Sequence, residues 1–140
     1  MTDTNGWTLH PQMEADSAPI GDLPLCRVLA MNDANYPWLV LVPRRNGMRD
    51  VIDLTDTDQA RLAVESAQAA RALKDMTHCT KLNVAALGNT VPQLHVHVIA
   101  RFSNDAAWPR PVWGVLPAKP YSDVALADFI GKMKRSMALG

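Results

Sequence analysis

Residues 93–99 read Gln-Leu-His-Val-His-Val-Ile, polar and apolar by turns over seven positions. Only an extended strand gives this pattern a physical meaning, because alternate side chains of a strand point to opposite faces. Gln93, His95, His97 and Ile99 then share one face, and Leu94, Val96, Val98 and Ala100 the other. The β-branched residues make the backbone stiff and strand-prone. Two of the chain's four histidines stand two residues apart on that rigid support. Three polar groups on one face are costly to bury without partners, and such clusters tend to mark sites.

The rest of the chain supplies the frame. Leu25–Met31 and Trp38–Pro43 are apolar runs separated by Asn32-Asp33-Ala34-Asn35-Tyr36-Pro37, whose Asn, Asp and Pro content marks a turn. They predict an antiparallel hairpin, and the near-continuous apolarity of the second run predicts a central strand covered on both faces. Thr55 is a helix cap, with Asp56 and Asp58 well placed in the first turn. Leu62, Ala69, Leu73 and Met76 recur at helical spacing in a stretch rich in helix formers, whose alanines allow close packing on a sheet. Residues 81–87 predict a third strand, Gly88–Pro92 a loop, and residues 93–100 the histidine strand.

Residues 1–18 read as a loosely structured lead-in with Trp7, Leu9 and Met13 as anchors. Between 102 and 121, Pro109, Pro111, Pro117 and Pro120 exclude a regular helix. Trp108 and Trp113 predict that this segment is packed down. A last helix is expected over about 122–138, capped by Ser122 or Asp123, with Val124, Phe129, Ile130 and Met133 as its apolar face. The order predicts one α+β domain over residues 1–140 with a mostly antiparallel sheet. Its core lies at about 22–102.

Composition narrows the function. The chain has 140 residues, with 14 Lys+Arg against 14 Asp+Glu. A balanced charge is not the footprint of a general nucleic-acid binder. The local cluster Arg44, Arg45 and Arg49 reads as a solvated loop. Cys26 and Cys79 stand far apart and outside any metal-type spacing, so they read as buried or free thiols in a reducing compartment. No apolar run approaches the roughly 20 residues that span a bilayer. The first ten residues lack a secretory apolar core. A soluble, cytoplasmic protein is expected.

Three chemistries suit a His-x-His strand. A structural pair needs partners for every buried polar atom. A catalytic zinc site wants three protein ligands, and His10 and His78, the other histidines, stand in no paired motif. A nucleophilic imidazole needs its second ring nitrogen pinned by a hydrogen bond, and donors aimed at the phosphoryl oxygens. The Gly88-Asn89-Thr90 loop offers backbone N–H groups, an amide and a hydroxyl for those oxygens.

Residues 93–99 resemble the histidine triad (HIT) signature, His-φ-His-φ-His-φ-φ with φ apolar, with Gln93 in place of the first histidine. Val28–Asp33 followed by Trp38–Pro43 resembles the family's nucleotide-binding hairpin, with Asn32 at the usual asparagine position. Gly88-Asn89-Thr90-Val91 resembles the Gly-Gln-Ser/Thr-Val that precedes the triad. Trp113 matches an aromatic often found in the C-terminal third.

The resemblance implies a sheet of about five strands, one long helix and a C-terminal helix. It implies nucleotide hydrolysis or transfer at an α-phosphate, on a phosphoester, an anhydride such as a dinucleoside polyphosphate, or a phosphoramidate. His95 would be the nucleophile, forming a covalent nucleotidyl-histidine without metal or cofactor. His97 and Gln93 would support it, Asn89 and Thr90 would hold phosphate oxygens or the leaving group, and Asn32 would lie near the ribose. A homodimer pairing through sheet edges and the helix is implied as well. Gln can neither carry charge nor relay a proton as His does, so the alternative is a nucleotide-binding or regulatory protein with weak catalysis. A small His-ligated metalloprotein stands behind both. Ala85-Ala86-Leu87 also replaces the acidic turns of better-known branches, so substrate specificity does not carry over from them.

Overall fold

The computed structural model describes residues 6–139. Its centre is a five-stranded antiparallel sheet in the order β1-β2-β3-β5-β4. The strands are β1 (Ser17–Asp22), β2 (Cys26–Met31), β3 (Trp38–Pro43), β4 (Lys81–Ala85) and β5 (Val96–Arg101). The helices are α1 (Pro11–Asp16), α2 (Asp56–Thr77) and α3 (Asp123–Ser136), with a single 3₁₀ turn at Val51–Asp53. This is the expected α+β architecture.

The β2–β3 hairpin forms as predicted, with Val28 opposite Leu41 and Leu29 opposite Val40. Every residue of β3 is buried, in keeping with its central place between β2 and β5. Alternation then sorts the sheet into two faces. On one face Val28, Ala30, Leu39, Leu41, Val96, Val98 and Ala100 join Leu62, Ala69 and Leu73 of α2 and Phe129 and Met133 of α3. On the other, Leu29, Trp38, Val40, Val42 and Ile99 join Trp7, Met13, Tyr36, Ala107 and Val112. The second face has no long helix over it. The N-terminal segment and the Pro/Trp-rich segment cover it in pieces, and a cleft lies between them.

Local chemistry explains the helix ends. Thr55 Oγ1 accepts the Asp58 N–H at 3.1 Å, and Ser122 Oγ accepts the Ala125 N–H at 3.2 Å, each satisfying one of the donors a helix start leaves open. A buried carboxylate joins α2 to the sheet. Glu65 accepts the backbone N–H groups of Leu25 at 2.9 Å and Cys26 at 2.8 Å, just where β2 begins. Cys26 and Cys79 are buried free thiols.

Three expectations need correction. Residues 6–18 are not a loose lead-in, because residues 11–18 form α1 and the start of β1 and Trp7 ahead of them is buried. Trp7 and Met13 are indeed buried anchors there, and residues 1–5 lie outside the described range. The histidine strand begins at Val96 rather than Gln93, and β4 ends at Ala85 rather than Leu87. Val124 is 82% exposed and does not belong to the apolar face of α3, which buries Phe129 and Met133, with Met137 buried just past the helix end. Val124 is the second residue of the helix.

The Pro/Trp-rich segment holds no helix or strand, as its prolines require. A buried ion pair organises its first part. Arg101, 1% exposed, donates to Asp105 (2.8 Å), Asn83 Oδ1 (2.8 Å) and the Arg110 carbonyl (2.8 Å). Its guanidinium also lies 5.7 Å from the ring centroids of both Tyr36 and Trp108. Asp105 in turn accepts the N–H groups of Phe102, Ala107 and Trp108. Burial alone would raise the Asp105 carboxyl. The Arg101 guanidinium and those N–H groups outweigh it and hold the group at about 2.

Candidate active site

His95 and His97 come together on the face without a long helix. Their ring centroids are 4.8 Å apart and their planes nearly perpendicular. Both line a cleft of about 440 Å³ with Met13 and Asp16 of α1, Met31, Trp38, Trp113 and the Leu87–Val91 loop. A larger cleft of about 640 Å³ runs along β1 between Leu9, Asp22, Arg27 and Lys134. It contains neither histidine of the motif, so chemistry rather than size locates the site.

The two imidazoles are held in opposite ways. His95 Nδ1 lies 2.7 Å from the Gln93 carbonyl oxygen. A carbonyl only accepts, so Nδ1 carries the proton and donates it. The other nitrogen, Nε2, keeps its lone pair and has no protein hydrogen bond among the described residues. His97 Nδ1 instead accepts the indole N–H of Trp38 at 3.1 Å. Its neutral form therefore carries the proton on Nε2. Burial, and secondarily the charge His95 can carry, pull the His97 pKa down to about 4. At neutral pH His97 is an uncharged hydrogen-bond donor beside a nitrogen with a free lone pair.

Aromatic rings close the far side. Trp113 stands edge-on to His97 at 5.1 Å and to Trp38 at 5.9 Å. With Met13 and Met31 these rings make an apolar wall, while the Gly88 loop makes a polar one. Gly88 has φ +83°, a left-handed conformation that glycine adopts without the cost a side chain would bring. It allows the turn that places Asn89 and Thr90 at the cleft mouth. His95 also borders a smaller hollow of about 190 Å³ with Arg49 and Asp50 on the opposite side of that loop.

The structure thus unites His95, His97, Asn89 and Thr90 in one cleft. Gln93 is not among the lining residues. Its side chain accepts the His10 N–H at 2.8 Å and donates to the Thr8 carbonyl at 2.9 Å. Asn32 lines an adjoining cleft of about 320 Å³ that shares Asp16, Met31 and Trp38 with the first. Its Oδ1 accepts the Tyr121 N–H at 2.9 Å, so part of its polarity fastens the segment before α3. Asp33 acts likewise, accepting from Asn35 and Lys119.

Sequence reasoning did not single out Trp38, Met13 or Asp16 as site residues. Trp38 carried a usable signal: counted along the hairpin from a paired β5, it falls near the histidines. For α1 the signal was Pro11 behind His10, a favoured helix start, and His10 Nδ1 does accept the Gln12 N–H at 3.1 Å. Among the described residues no cluster of three or more His, Cys, Asp or Glu is placed to hold a metal ion. The basic trio is dispersed: Arg45 pairs with Asp58 at 2.8 Å, Arg44 donates to the Leu23 carbonyl at 2.8 Å, and Arg49 flanks the site.

Comparison with known proteins finds relatives of the same fold. The family model for the HIT domain matches residues 12–104. An AP-4-A phosphorylase of Mycobacterium tuberculosis is 33% identical over 85 residues, which is 56% of this chain and 43% of that protein. The chain therefore spans less than half the length of the curated relatives it matches. A histidine triad protein from Bradyrhizobium japonicum is 53% identical with a TM-score of 0.92, covering 94% of this chain and 98% of its own. One from Sinorhizobium meliloti is 43% identical with a TM-score of 0.93, covering 96% and 99%.

Proposed function

The chain belongs to the HIT family, and on that premise we propose that it is a nucleotide hydrolase or nucleotidyl transferase that works through a covalent nucleotidyl-histidine at His95. The observation that carries the proposal is the 2.7 Å hydrogen bond from His95 Nδ1 to the Gln93 carbonyl, which leaves Nε2 as the nucleophilic nitrogen. In the first step Nε2 attacks the α-phosphorus. A P–N bond forms, the bond to the leaving group breaks, and the leaving group departs with its electron pair. In the second, water attacks phosphorus, the P–N bond breaks, and a nucleoside monophosphate leaves.

The surrounding residues have matching tasks. The His97 Nε2–H, kept neutral by burial, donates to a phosphoryl oxygen or to the departing atom. Asn89 and Thr90 hold phosphate oxygens, and Trp38, Trp113, Met13 and Met31 offer the nucleoside an apolar bed. Asn32 contributes from the ribose side. The mycobacterial relative is named as a phosphorylase, which makes inorganic phosphate an acceptor to test beside water. No metal or cofactor enters the covalent step.

Two copies are proposed to pair through β4 and α2. β4 is an edge strand, and Val84, 53% exposed, stands opposite Val98 on the helix-covered face. Unpaired edge groups beside exposed apolar residues favour association.

The test is a substrate panel of dinucleoside polyphosphates and nucleoside 5′-phosphoramidates, run with and without phosphate on wild type and His95→Ala. Turnover of at least one substrate, lost by about a thousandfold or more in the variant, supports the proposal. Equal turnover by both proteins sinks it. Tight AMP binding with no turnover would select the non-catalytic binding protein instead.

A further inference from the structure

We propose that Gln93 is a positioning residue: its side-chain amide clasps the N-terminal segment and so holds α1 as one wall of the histidine cleft. The inference rests on the nucleotide reading above for its kinetic consequences, but not for its structural ones. Gln93 reaches across 83 residues of sequence to His10 and 85 to Thr8, at 2.8 and 2.9 Å. One N–H and one C=O of the same short segment are held by one side chain. A primary amide suits this because its acceptor oxygen and donor nitrogen sit side by side. An imidazole carries its two nitrogens on different sides of a ring and cannot close the same pair. The clasp therefore gives a physical reason for Gln rather than His at this position.

Its effect reaches the cleft through a short, braced path. His10 starts α1, with its Nδ1 accepting the Gln12 N–H at 3.1 Å. Met13 plugs the core below, and the Asp16 carbonyl accepts the Asn32 N–H at 3.0 Å at the other end. Gln12, Met13 and Asp16 then face the cleft opposite the Gly88 loop. Releasing the clasp frees the wall that bounds the nucleoside, while His95 keeps its own hydrogen bond to the Gln93 backbone carbonyl, which any residue supplies. The consequence belongs to KM and not to the reacting phosphorus.

Gln93→Ala, Gln93→His and Gln93→Glu test this in the full chain. The first two are expected to raise KM, and the Kd for AMP by calorimetry, about tenfold, as for two lost hydrogen bonds. kcat should move by less than about threefold on the same grounds. Glu keeps the acceptor for the His10 N–H but loses the donor to Thr8, so Gln93→Glu should fall between. Hydrogen exchange at the Met13–Asp16 amides should quicken in Gln93→Ala and stay unchanged in His95→Ala. Unchanged exchange across that stretch overturns the clasp. So does a fall in kcat with KM and AMP affinity intact, which would put Gln93 at the phosphoryl group. A wild type that binds no AMP overturns the nucleotide reading alone, and exchange then decides the clasp by itself. If Gln93→Ala does not fold, Gln93→Glu carries both measurements.

Discussion

Trp38 decides which proton the site holds. Its indole N–H occupies His97 Nδ1 and leaves the ring's own proton on Nε2. Burial then keeps that ring neutral to about pH 4, whereas an unfolded imidazole takes a proton near pH 6.5. Between those values the unfolded chain binds more protons than the folded one, so acid favours unfolding. The stability that neutral His97 contributes is full above about pH 6.5 and is lost as pH falls toward 4. By pH 5 the loss is about 2 kcal/mol. Urea midpoints at pH 7.5 and 5 measure it, and His97→Gln should remove most of the difference between them. An unaltered pH dependence in that variant would contradict the assignment. At this scale the sequence was informative about the histidines, because alternation along a strand is a local property. It set Gln93 beside the histidines as a supporting residue but gave no sign of its partners, which lie more than 80 residues away, nor of the sharing of Asn32 between cleft and chain fastening.

Elements with strong local signals formed where expected: the β2–β3 hairpin, α2 with its Thr55 cap, and α3 with its Ser122 cap. β1 was missed because Ser17-Ala-Pro-Ile-Gly-Asp carries Pro19 and Gly21, both poor in a strand interior. They are tolerated here because β1 is an edge, and its register shifts between those two residues. α1 has only six residues, too few to show a period. The Pro/Trp segment shows the opposite case, in which order comes from one buried ion pair rather than from regular structure. Asp105→Ala would leave the Arg101 guanidinium buried without its carboxylate, at a cost of about 3–5 kcal/mol. Asp105→Asn, which keeps an acceptor, should cost less. Chemical denaturation of both variants checks the order, and equal stability of Asp105→Ala and wild type would remove the ion pair's organising role.

As a whole the molecule is a sheet with unequal sides. Helices seal one face, and loops and a short helix cover the other while leaving room for a ligand beside two imidazoles. The described residues include no helix long and apolar enough to cross a membrane. The β4 edge, which no further strand pairs among the described residues, is where a second copy is proposed to dock. Light scattering should find a dimer at micromolar concentration, and Val84→Glu, which sets a charge on that edge, should shift it toward monomer. A wild type that is monomeric throughout would contradict the proposed pairing. Rapid acid quench and peptide mass mapping during turnover of a dinucleoside polyphosphate test for the proposed bond between His95 and phosphorus. A nucleoside monophosphate adduct confined to His95, and absent from His95→Ala, is the predicted result. Steady turnover with no adduct at any quench time, or an adduct on another residue, would contradict it.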